Sequence, residues 1–265
     1  MTGEKGHPMT DSILYTRDGA LARLTFNRPA SLNAMDFEMG ARWRDLAHEL
    51  TADDTVGAIV IDANGPAFCA GGDVVAMASV ARSGEEITAA AGVIHDGIRT
   101  FVESGIPIVA AVQGAVAGGG LGLMLTADYI VASPEATFVS KYANIGLTPD
   151  LGVSTLLVAA VGQRRALHLL LTDTTLSARG ARDWGLVSEL DDDPKEAATD
   201  VARHWLHGAT AAFGQAKRLV RTAPFRSFAD NLDDEARTIG AAFDTPEAQR
   251  RIAAFAAASR SRTPR

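Results

Sequence analysis

Three successive glycines, Gly118 to Gly120, follow an uncharged apolar segment, and their type and spacing point to chemistry more directly than any other part of this chain. The segment, residues 108–112, predicts a buried β-strand, and the glycines predict the start of a helix after a turn at Gly114. The first N–H groups of a helix have no intrahelical acceptor, so they bind negative charge. The glycines therefore predict a site for a small developing oxyanion or, alternatively, a turn where helices pack closely.

The same pattern occurs once earlier in the chain. Residues 58–62 predict a second buried strand, and Gly71 and Gly72 follow it at the expected start of another helix. Two such turns side by side can direct two N–H groups at one oxygen, which is the geometry of an oxyanion hole. Nucleotide-binding loops fit poorly, because no Gly-Lys-Ser/Thr follows the glycines and their spacing differs from the dinucleotide fingerprint.

Composition limits the classes of protein that this chain can represent. With 265 residues, 47% hydrophobic and 22% charged, it is typical of a soluble globular protein of one large or two small domains. The formal net charge of -7 argues against nucleic acid or an anionic membrane as a partner. The single cysteine, Cys69, excludes an intrachain disulfide and argues against a cysteine-based metal site, which suits a cytoplasmic protein without a metal.

The elements that must position these glycines are predicted from hydrophobic patterns. Residues 1–10 are polar and predict a disordered N-terminus, whereas residues 13–15 and 21–26 predict a hairpin that turns at Asp18 and Gly19. Arg28 precedes a proline in the next loop, so its side chain either meets a phosphate or remains solvated. Asn33 is the expected start of a helix that runs to Leu50. Residues 106–127 carry no charge, but Pro107 and the glycines favour a strand and a helix over a membrane span.

Five sequence segments, in order along the chain, resemble the crotonase superfamily, the enoyl-CoA hydratase/isomerase family. They are AFCAGGDV, GAVAGGGLGLMLTADYIVAS, ATF, IGLTPDLG and ARGARDWGLVSEL. The resemblance implies an α/β fold, a crotonase-like spiral of repeated β-β-α units over residues 11–194. It also implies a helical region over residues 195–265 that mediates trimerisation.

The resemblance further implies a coenzyme A thioester as substrate, with no permanently bound cofactor. The backbone N–H groups of Gly72 and Gly119 then become the oxyanion donors. The same resemblance makes several residues candidates for contact with coenzyme A, mainly through their backbone: Arg28, Ala30, Ala70, Asp73 and Val74. Stabilising a thioester enolate lowers the barrier to proton removal beside the carbonyl, and the added acid, base or nucleophile decides the reaction.

The chain departs from typical hydratases of this family at two positions. Hydratases carry one glutamate two residues after the glycine triplet and another in the later loop, and here these positions are Gly122 and Tyr142. Neither residue can act as a carboxylate base, so simple hydratase activity is not expected. Tyr142 is expected to line the acyl pocket.

Asp150 is the carboxylate available instead. By spacing alone it predicts an N-cap for the helix that follows. In the resemblance it matches the functional aspartate of phenylacetyl-CoA-type isomerases, dienoyl-CoA isomerases and 4-chlorobenzoyl-CoA dehalogenase, which makes it the first catalytic candidate. His95 matches a dehalogenase histidine, which makes it a further catalytic candidate, although a helical histidine is more often structural or solvated.

The C-terminal part of the chain predicts helices and assembly. Lys217, Arg218 and Arg221 are expected on a solvated charged face, and an alanine-rich segment, residues 239–258, has many apolar positions for a free helix. A homotrimer or a dimer of trimers is therefore expected. The predicted activity is an enoyl-CoA isomerase with Asp150 as acid/base; the alternatives are hydratase or dehalogenase-like chemistry, or a non-catalytic acyl-CoA-binding subunit.

Overall fold

A computed structural model describes residues 11–80, 83–172 and 174–261 of the chain. The predicted disordered N-terminus, residues 1–10, lies outside the described residues. Within these ranges the protein is a mixed α/β structure with two sheets. The strands are β1 (Ile13–Asp18), β2 (Leu21–Phe26), β3 (Ala58–Ala63), β4 (Ile108–Val112), β5 (Ala115–Ala117), β6 (Tyr129–Ala132), β7 (Thr137–Val139), β8 (Leu176–Ser177) and β9 (Glu189–Leu190).

The helices cover these sheets and form the C-terminal part of the described chain. They are α1 (Phe37–Thr51), α2 (Val74–Val80), α3 (Gly84–Glu103), α4 (Gly120–Leu125), α5 (Val153–Val161), α6 (Gln163–Leu171), α7 (Ala178–Trp184), α8 (Pro194–His207), α9 (Thr210–Thr222), α10 (Phe228–Phe243) and α11 (Pro246–Ser261). No helix within the described ranges is long and apolar enough to cross a membrane.

The larger sheet has the order β1-β2-β3-β4-β6-β9. The first pair is the predicted antiparallel hairpin, and the later neighbours are parallel. Every residue of β3 and β4 is buried, as expected for parallel strands that are covered on both faces. One cover is α8, where Ala198 and Ala202 pack on β-strand residues such as Val60 and Val109. Helix α8 begins at the boundary predicted near residue 194, but the division of the chain there stays a prediction.

The smaller sheet has the order β5-β7-β8, and the chain alternates between the two sheets to form the predicted spiral. Strand β4 of the larger sheet is followed by β5 of the smaller one, and β6 is followed in the same way by β7. After β3, the equivalent position is taken by Cys69, which forms a parallel bridge with Val116 beside β5. A helix then follows each pair, so the repeated β-β-α unit predicted for the crotonase-like spiral is confirmed.

Several predicted elements coincide with the structure, and the predicted start of α1 is wrong. Strands β2 and β4 have the expected bounds. Asn33, however, lies four residues before α1 in a left-handed conformation (φ 56°), and its buried amide nitrogen donates to the Asn64 and Ala67 carbonyls. The N-cap is Asp36, which accepts from the Met39 N–H at 2.8 Å. A side chain of the Asn/Asp type serves both purposes, so the helix start was ambiguous in the sequence.

The solvated basic face predicted for α9 is also wrong. The Lys217 Nζ is buried, donates to the Phe101 and Ile106 carbonyls at 2.8 and 2.7 Å, and lies 3.1 Å from Oδ2 of Asp128. Arg221 donates to the other oxygen of Asp128 at 3.0 Å. These contacts fix α9 to the end of α3 and to the start of β4.

Candidate active site

The two glycine turns, the Asp150 loop and helix α3 surround one cavity of about 670 Å³. Its lining includes most of the predicted site residues: Ala70, Gly72, Val74, His95, Gly119, Tyr142 and Asp150. Arg28, Ala30 and Asp73 are not among the described residues that line this cavity. The cavity is therefore the candidate active site.

Two parallel bridges fix the first glycine turn: one joins it to Met35, and the other joins it to β5, which precedes the second turn. On one side of Gly72, the Met35 N–H donates to the Gly71 carbonyl, and the Asp73 N–H donates to the Met35 carbonyl. This pattern uses the backbone groups that flank Gly72 and leaves its own N–H without an acceptor among the described residues. Residue 69 forms the second bridge, to β5, which leads directly into the glycine triplet.

Gly119 lies next to the first turn at the N-cap of α4. Its N–H also has no acceptor within the described part of the chain, as expected for a helix start. The approach of the two turns requires glycine: Gly71 has a φ of 98°, and a Cβ on it would lie 2.8 Å from the Ala117 carbonyl and 3.2 Å from the Gly119 nitrogen. Thus both predicted N–H donors belong to residues that line one cavity, and neither has a competing acceptor among the described residues.

Asp150 does not cap a helix. The N-cap of α5 is Gly152, without any side-chain cap, whereas Oδ1 of Asp150 accepts a 2.6 Å hydrogen bond from the Tyr142 hydroxyl. Its Oδ2 has no donor among the described residues. A Cβ on Gly119 would lie 3.6 Å from Oδ1, so the carboxylate is adjacent to one predicted N–H donor. The capping interpretation is therefore wrong, and the carboxylate has one oxygen available to a ligand.

Tyr142 lines the cavity as expected, and its hydroxyl has a defined partner. The ring is buried, and burial together with the negative charge of Asp150 raises the pKa of Tyr142. The phenol therefore keeps its proton at neutral pH. It acts as a hydrogen-bond donor that orients the carboxylate, and it cannot serve as a base.

His95 reaches the same loop from α3. Its Nε2 lies 3.0 Å from the Leu151 nitrogen and accepts the backbone N–H of that residue. An accepting Nε2 places the ring proton of the neutral imidazole on Nδ1. His95 thus contacts the residue next to Asp150 in the chain, across 56 positions of sequence.

Leu151 is a structural residue of the site that sequence reasoning missed. It is buried and has a φ of 48°, a left-handed conformation that is uncommon for leucine. A Cβ on Gly122 would lie 1.9 Å from the Leu151 carbonyl oxygen. The glycine at the hydratase glutamate position is therefore required by the backbone of the Asp150 loop. The signal in the sequence was the small residue at position 122, which was interpreted only as a lost carboxylate.

The Arg28 side chain, expected either to meet a phosphate or to remain solvated, pairs with two carboxylates in the structure. The guanidinium lies 2.9 Å from Asp36 and 3.0 Å from Asp73, and it also contacts the Ala34 carbonyl. Asp73 in turn accepts the Ala76 N–H, and this bond, followed by Arg28, lowers the pKa of Asp73. The Arg28 side chain is partly buried, and these ion pairs brace the loops around the first glycine turn.

The remaining predicted contacts are backbone positions or lie beside the cavity. Ala70 donates its N–H to the Leu32 carbonyl at 3.0 Å, Val74 is half-exposed at the start of α2, and Ala30 is exposed in a short 3-10 turn. Cys69 is fully buried, and burial raises the pKa of its thiol to about 12, which keeps the thiol neutral. The described residues contain no cluster of His, Cys, Asp and Glu that could hold a metal ion.

The geometry supports a definite kind of chemistry. Two N–H groups without acceptors can stabilise negative charge that develops on one oxygen, and a carboxylate beside them can take or return a proton on a neighbouring carbon. The cavity is largely apolar around these groups, with Met77, Ile87 and Leu147 in its lining. Apolar surroundings lower the local dielectric and strengthen each electrostatic contact.

Comparisons with known proteins agree with the fold and the motifs. Residues 16–261 match the family described as enoyl-CoA hydratase/isomerase. The chain is similar to the 1,2-epoxyphenylacetyl-CoA isomerase of Escherichia coli, with 31% identity over 86% of this chain and 88% of the relative. It is also similar to 4-chlorobenzoyl coenzyme A dehalogenase-2 of an Arthrobacter species, with 30% identity over 92% and 89%.

A solved structure also supports the enoyl-CoA hydratase/isomerase family. The crystal structure of a putative enoyl-CoA hydratase from Streptomyces coelicolor A3(2) superposes with a TM-score of 0.89 and 30% identity, covering 99% of this chain and 97% of that one. The family match spans both glycine turns and the loop that carries Asp150. The chain therefore belongs to the enoyl-CoA hydratase/isomerase family of the crotonase superfamily.

Proposed function

We propose that this protein is an acyl-CoA enzyme that moves a double bond in an enoyl-CoA thioester. The observation that carries the proposal is the carboxylate of Asp150: one oxygen is held by Tyr142, the other has no donor among the described residues, and both lie in the cavity lined by Gly72 and Gly119. Two relatives whose names specify coenzyme A thioesters support a thioester of this class as the substrate. No permanently bound cofactor is needed for this chemistry.

The proposed reaction uses few groups. The thioester oxygen accepts the N–H groups of Gly72 and Gly119, and Asp150 removes a proton from the carbon beside the carbonyl to give a dienolate. Asp150 then returns that proton to the far carbon of the diene system, so the double bond moves and no atoms are gained or lost. Tyr142 keeps the carboxylate oriented during both transfers.

The site is less suited to simple hydration. A glutamate at position 122 would place its Cβ 1.9 Å from the Leu151 carbonyl oxygen, and Tyr142 occupies the second glutamate position. Hydration on this backbone would have to use Asp150 alone to activate water. Hydratase activity is therefore the second candidate, favoured by the family match and by the similarity to a putative enoyl-CoA hydratase.

Dehalogenase-like displacement is the third candidate, and the similarity to a 4-chlorobenzoyl-CoA dehalogenase favours it. Asp150 would then act as a nucleophile, and a separate base would have to activate water. His95 is poorly suited to that task, because its Nε2 already accepts the Leu151 N–H. A non-catalytic acyl-CoA-binding subunit is the alternative from a different class. We place the protein in the cytoplasm as a homotrimer or a dimer of trimers.

The test is turnover of a panel of 2-enoyl, 3-enoyl and aryl-CoA thioesters by the wild type and by Asp150→Asn, with coenzyme A thioester binding measured in parallel. Asparagine can still accept the Tyr142 hydroxyl, so the loop is retained while the proton acceptor is lost. We expect kcat to fall about 10²- to 10⁴-fold with binding nearly unchanged. The matched control is Asp193→Asn, because Asp193 caps α8 away from the cavity and asparagine caps equally well.

The outcomes separate the candidates. Isomerisation of a 3-enoyl thioester supports the proposal, whereas water addition or chloride release by the wild type would replace it with the second or third candidate. Binding without turnover of any panel member would indicate the non-catalytic subunit. Wild-type turnover by Asp150→Asn would remove Asp150 from the mechanism.

A further inference from the structure

We infer that His95 is a positioning residue that fixes the Asp150 loop through the Leu151 N–H, and that it is not an acid/base of the reaction. The inference concerns the same site and rests on the proposed function in one respect, namely that the position of Asp150 matters for turnover. Nothing in the similarity to known proteins assigns this role. The contact itself is a single hydrogen bond of 3.0 Å between His95 Nε2 and the Leu151 nitrogen.

The Leu151 N–H needs this acceptor. Leu151 is only 2% exposed, and a buried backbone N–H without a partner costs folding free energy comparable to a lost hydrogen bond. Within the described residues His95 is the acceptor that the structure provides. Helix α3 therefore supplies, through the His95 side chain, the acceptor for this backbone N–H of the loop.

The backbone conformation of Leu151 shows why the hydrogen bond from its N–H to His95 matters for the site. Its φ of 48° lies in the left-handed region, which a leucine adopts only when its surroundings enforce it. Strained backbone of this kind clusters at active sites. Here the strain occurs one residue after the proposed catalytic carboxylate, so its release would move Asp150.

Two glycines fix the opposite side of Leu151. Its carbonyl lies where a Cβ on Gly122 would be, and its side chain packs on Gly119, where a Cβ would lie 2.7 Å from Leu151 Cδ1. His95 and helix α4 thus hold Leu151 between them, and Tyr142 holds the Asp150 side chain directly. Leu151 therefore fixes the loop that carries the predicted base, Asp150, relative to helix α4, whose N-cap is the predicted N–H donor, Gly119.

The chemistry of the imidazole follows from the donor that it faces. Because a backbone N–H always donates, the Nε2 lone pair of His95 is occupied, and the proton of the neutral imidazole lies on Nδ1. A base must have a free lone pair directed at the reacting proton. His95 lines the cavity, but its accepting nitrogen is directed at the loop.

The test compares His95→Gln with His95→Leu. Glutamine can present an amide oxygen to the Leu151 N–H, whereas leucine has similar bulk and no acceptor. On the best panel substrate we expect His95→Leu to lose about ten- to a hundred-fold in kcat with KM little changed, because a displaced catalytic group costs about this much. His95→Gln should remain within a few-fold of the wild type. His168→Leu, a histidine on α6 that contacts Trp184, is the matched control.

Two further readouts do not depend on turnover. In ¹⁵N-labelled protein, His95 should show a protonated Nδ1 and an unprotonated, hydrogen-bonded Nε2 at neutral pH. The Leu151 amide should exchange slowly in the wild type and in His95→Gln, and much faster in His95→Leu. If no panel member is turned over, these readouts still decide the inference separately from the proposed function.

Several results would overturn the inference. Equal loss of kcat in His95→Gln and His95→Leu would indicate a proton-transfer role for the imidazole, and unchanged kcat in both would show that the loop does not need it. A protonated Nε2, or a Leu151 amide that exchanges alike in all variants, would show that the hydrogen bond is absent in solution.

Discussion

The Tyr142 hydroxyl donates a 2.6 Å hydrogen bond to Oδ1 of Asp150, from one end of a nine-residue loop to the other. The phenol takes the position of one hydratase glutamate in the resemblance, so Asp150 faces a neutral donor in this chain. Because burial and Asp150 raise the pKa of Tyr142, the donor remains protonated in alkaline solution. The loop thus carries one carboxylate whose orientation depends on one neutral side chain.

Tyr142→Phe tests this dependence. Phenylalanine keeps the ring in the cavity wall and removes only the donor, and a hydrogen bond to a charged group contributes about 1.5–3 kcal/mol. We expect kcat to fall about tenfold or more, with KM little changed, because Asp150 is then free to turn away from the substrate. Steady-state kinetics on the best panel substrate provide the measurement.

Tyr129→Phe is the control for that experiment. The Tyr129 hydroxyl donates to Glu189 at 3.1 Å, outside the lining of the cavity, so the same atom is removed from a comparable bond. Its unfolding free energy should fall by about 1 kcal/mol with kcat unchanged. Equal kinetic losses in the two variants would mean that Tyr142 acts through general stability and has no specific effect on Asp150.

Gly122→Ala should damage both folding and turnover. The new Cβ would lie 1.9 Å from the Leu151 carbonyl oxygen, which belongs to the backbone and cannot rotate away. Overpacking of this kind costs about 1–3 kcal/mol, so the urea midpoint should fall, and kcat should fall with it as the Asp150 loop shifts. Gly122→Glu should be at least as disruptive and should not create hydratase activity.

Gly92→Ala provides the matched control in a helix. A Cβ on Gly92, in the middle of α3, meets nothing within 4 Å. Alanine there should raise the unfolding free energy by about 0.5–1 kcal/mol, because glycine is unfavourable in helix interiors. A Gly122→Ala variant as stable as Gly92→Ala would show that the loop and α4 do not contact as described.

The sequence predicted the parts of this site that depend on local spacing. A buried strand followed by glycines is a short-range pattern, so β4 and a helix start at the glycine triplet could be predicted without a structure. The choice of Gly72 and Gly119 as N–H donors rests on the resemblance to the crotonase superfamily. The long-range contacts could not be predicted in this way. His95 and Leu151 are 56 positions apart, and the role of Asp150 depended on whether its side chain met a backbone N–H or a phenol. No periodicity encodes such contacts, because they arise only when separate elements pack together.

Lys217 gives a prediction about pH. Burial lowers its pKa from 10.5 to about 8, although Asp128 opposes the shift. Between these two values the unfolded chain holds a proton on Lys217 that the folded protein does not. Folding stability contributed by this group therefore rises with pH from about 8 to about 10.5, by at most about 1.4 kcal/mol per pH unit.

Lys217→Met provides the measurement. Methionine fills a similar volume without an ionisable group, so the difference in unfolding free energy between wild type and variant should widen as the pH rises from 8 to 10. At pH 7 the variant should be less stable by about 3 kcal/mol, because the Phe101 and Ile106 carbonyls and part of Asp128 lose a buried donor. A difference that stays constant with pH would show that Lys217 keeps its ordinary pKa in the folded protein.

Assembly is the last prediction, and it concerns α10 and α11. Helix α10 ends at Phe243 and α11 begins at Pro246, and both present large exposed side chains, including Ile239 at 72% and Phe255 at 77% exposure. Exposed apolar side chains clustered on neighbouring helices mark an interaction surface. We expect a trimer or a dimer of trimers in sedimentation velocity at micromolar concentration, and we expect the double variant Ile239→Asp/Phe255→Asp to dissociate while remaining helical. Val80→Asp is the control, because Val80 is equally apolar and 58% exposed but lies on α2. A wild type that sediments as a monomer, or a double variant that assembles as the wild type does, would contradict the trimer and leave the C-terminal helices without a partner.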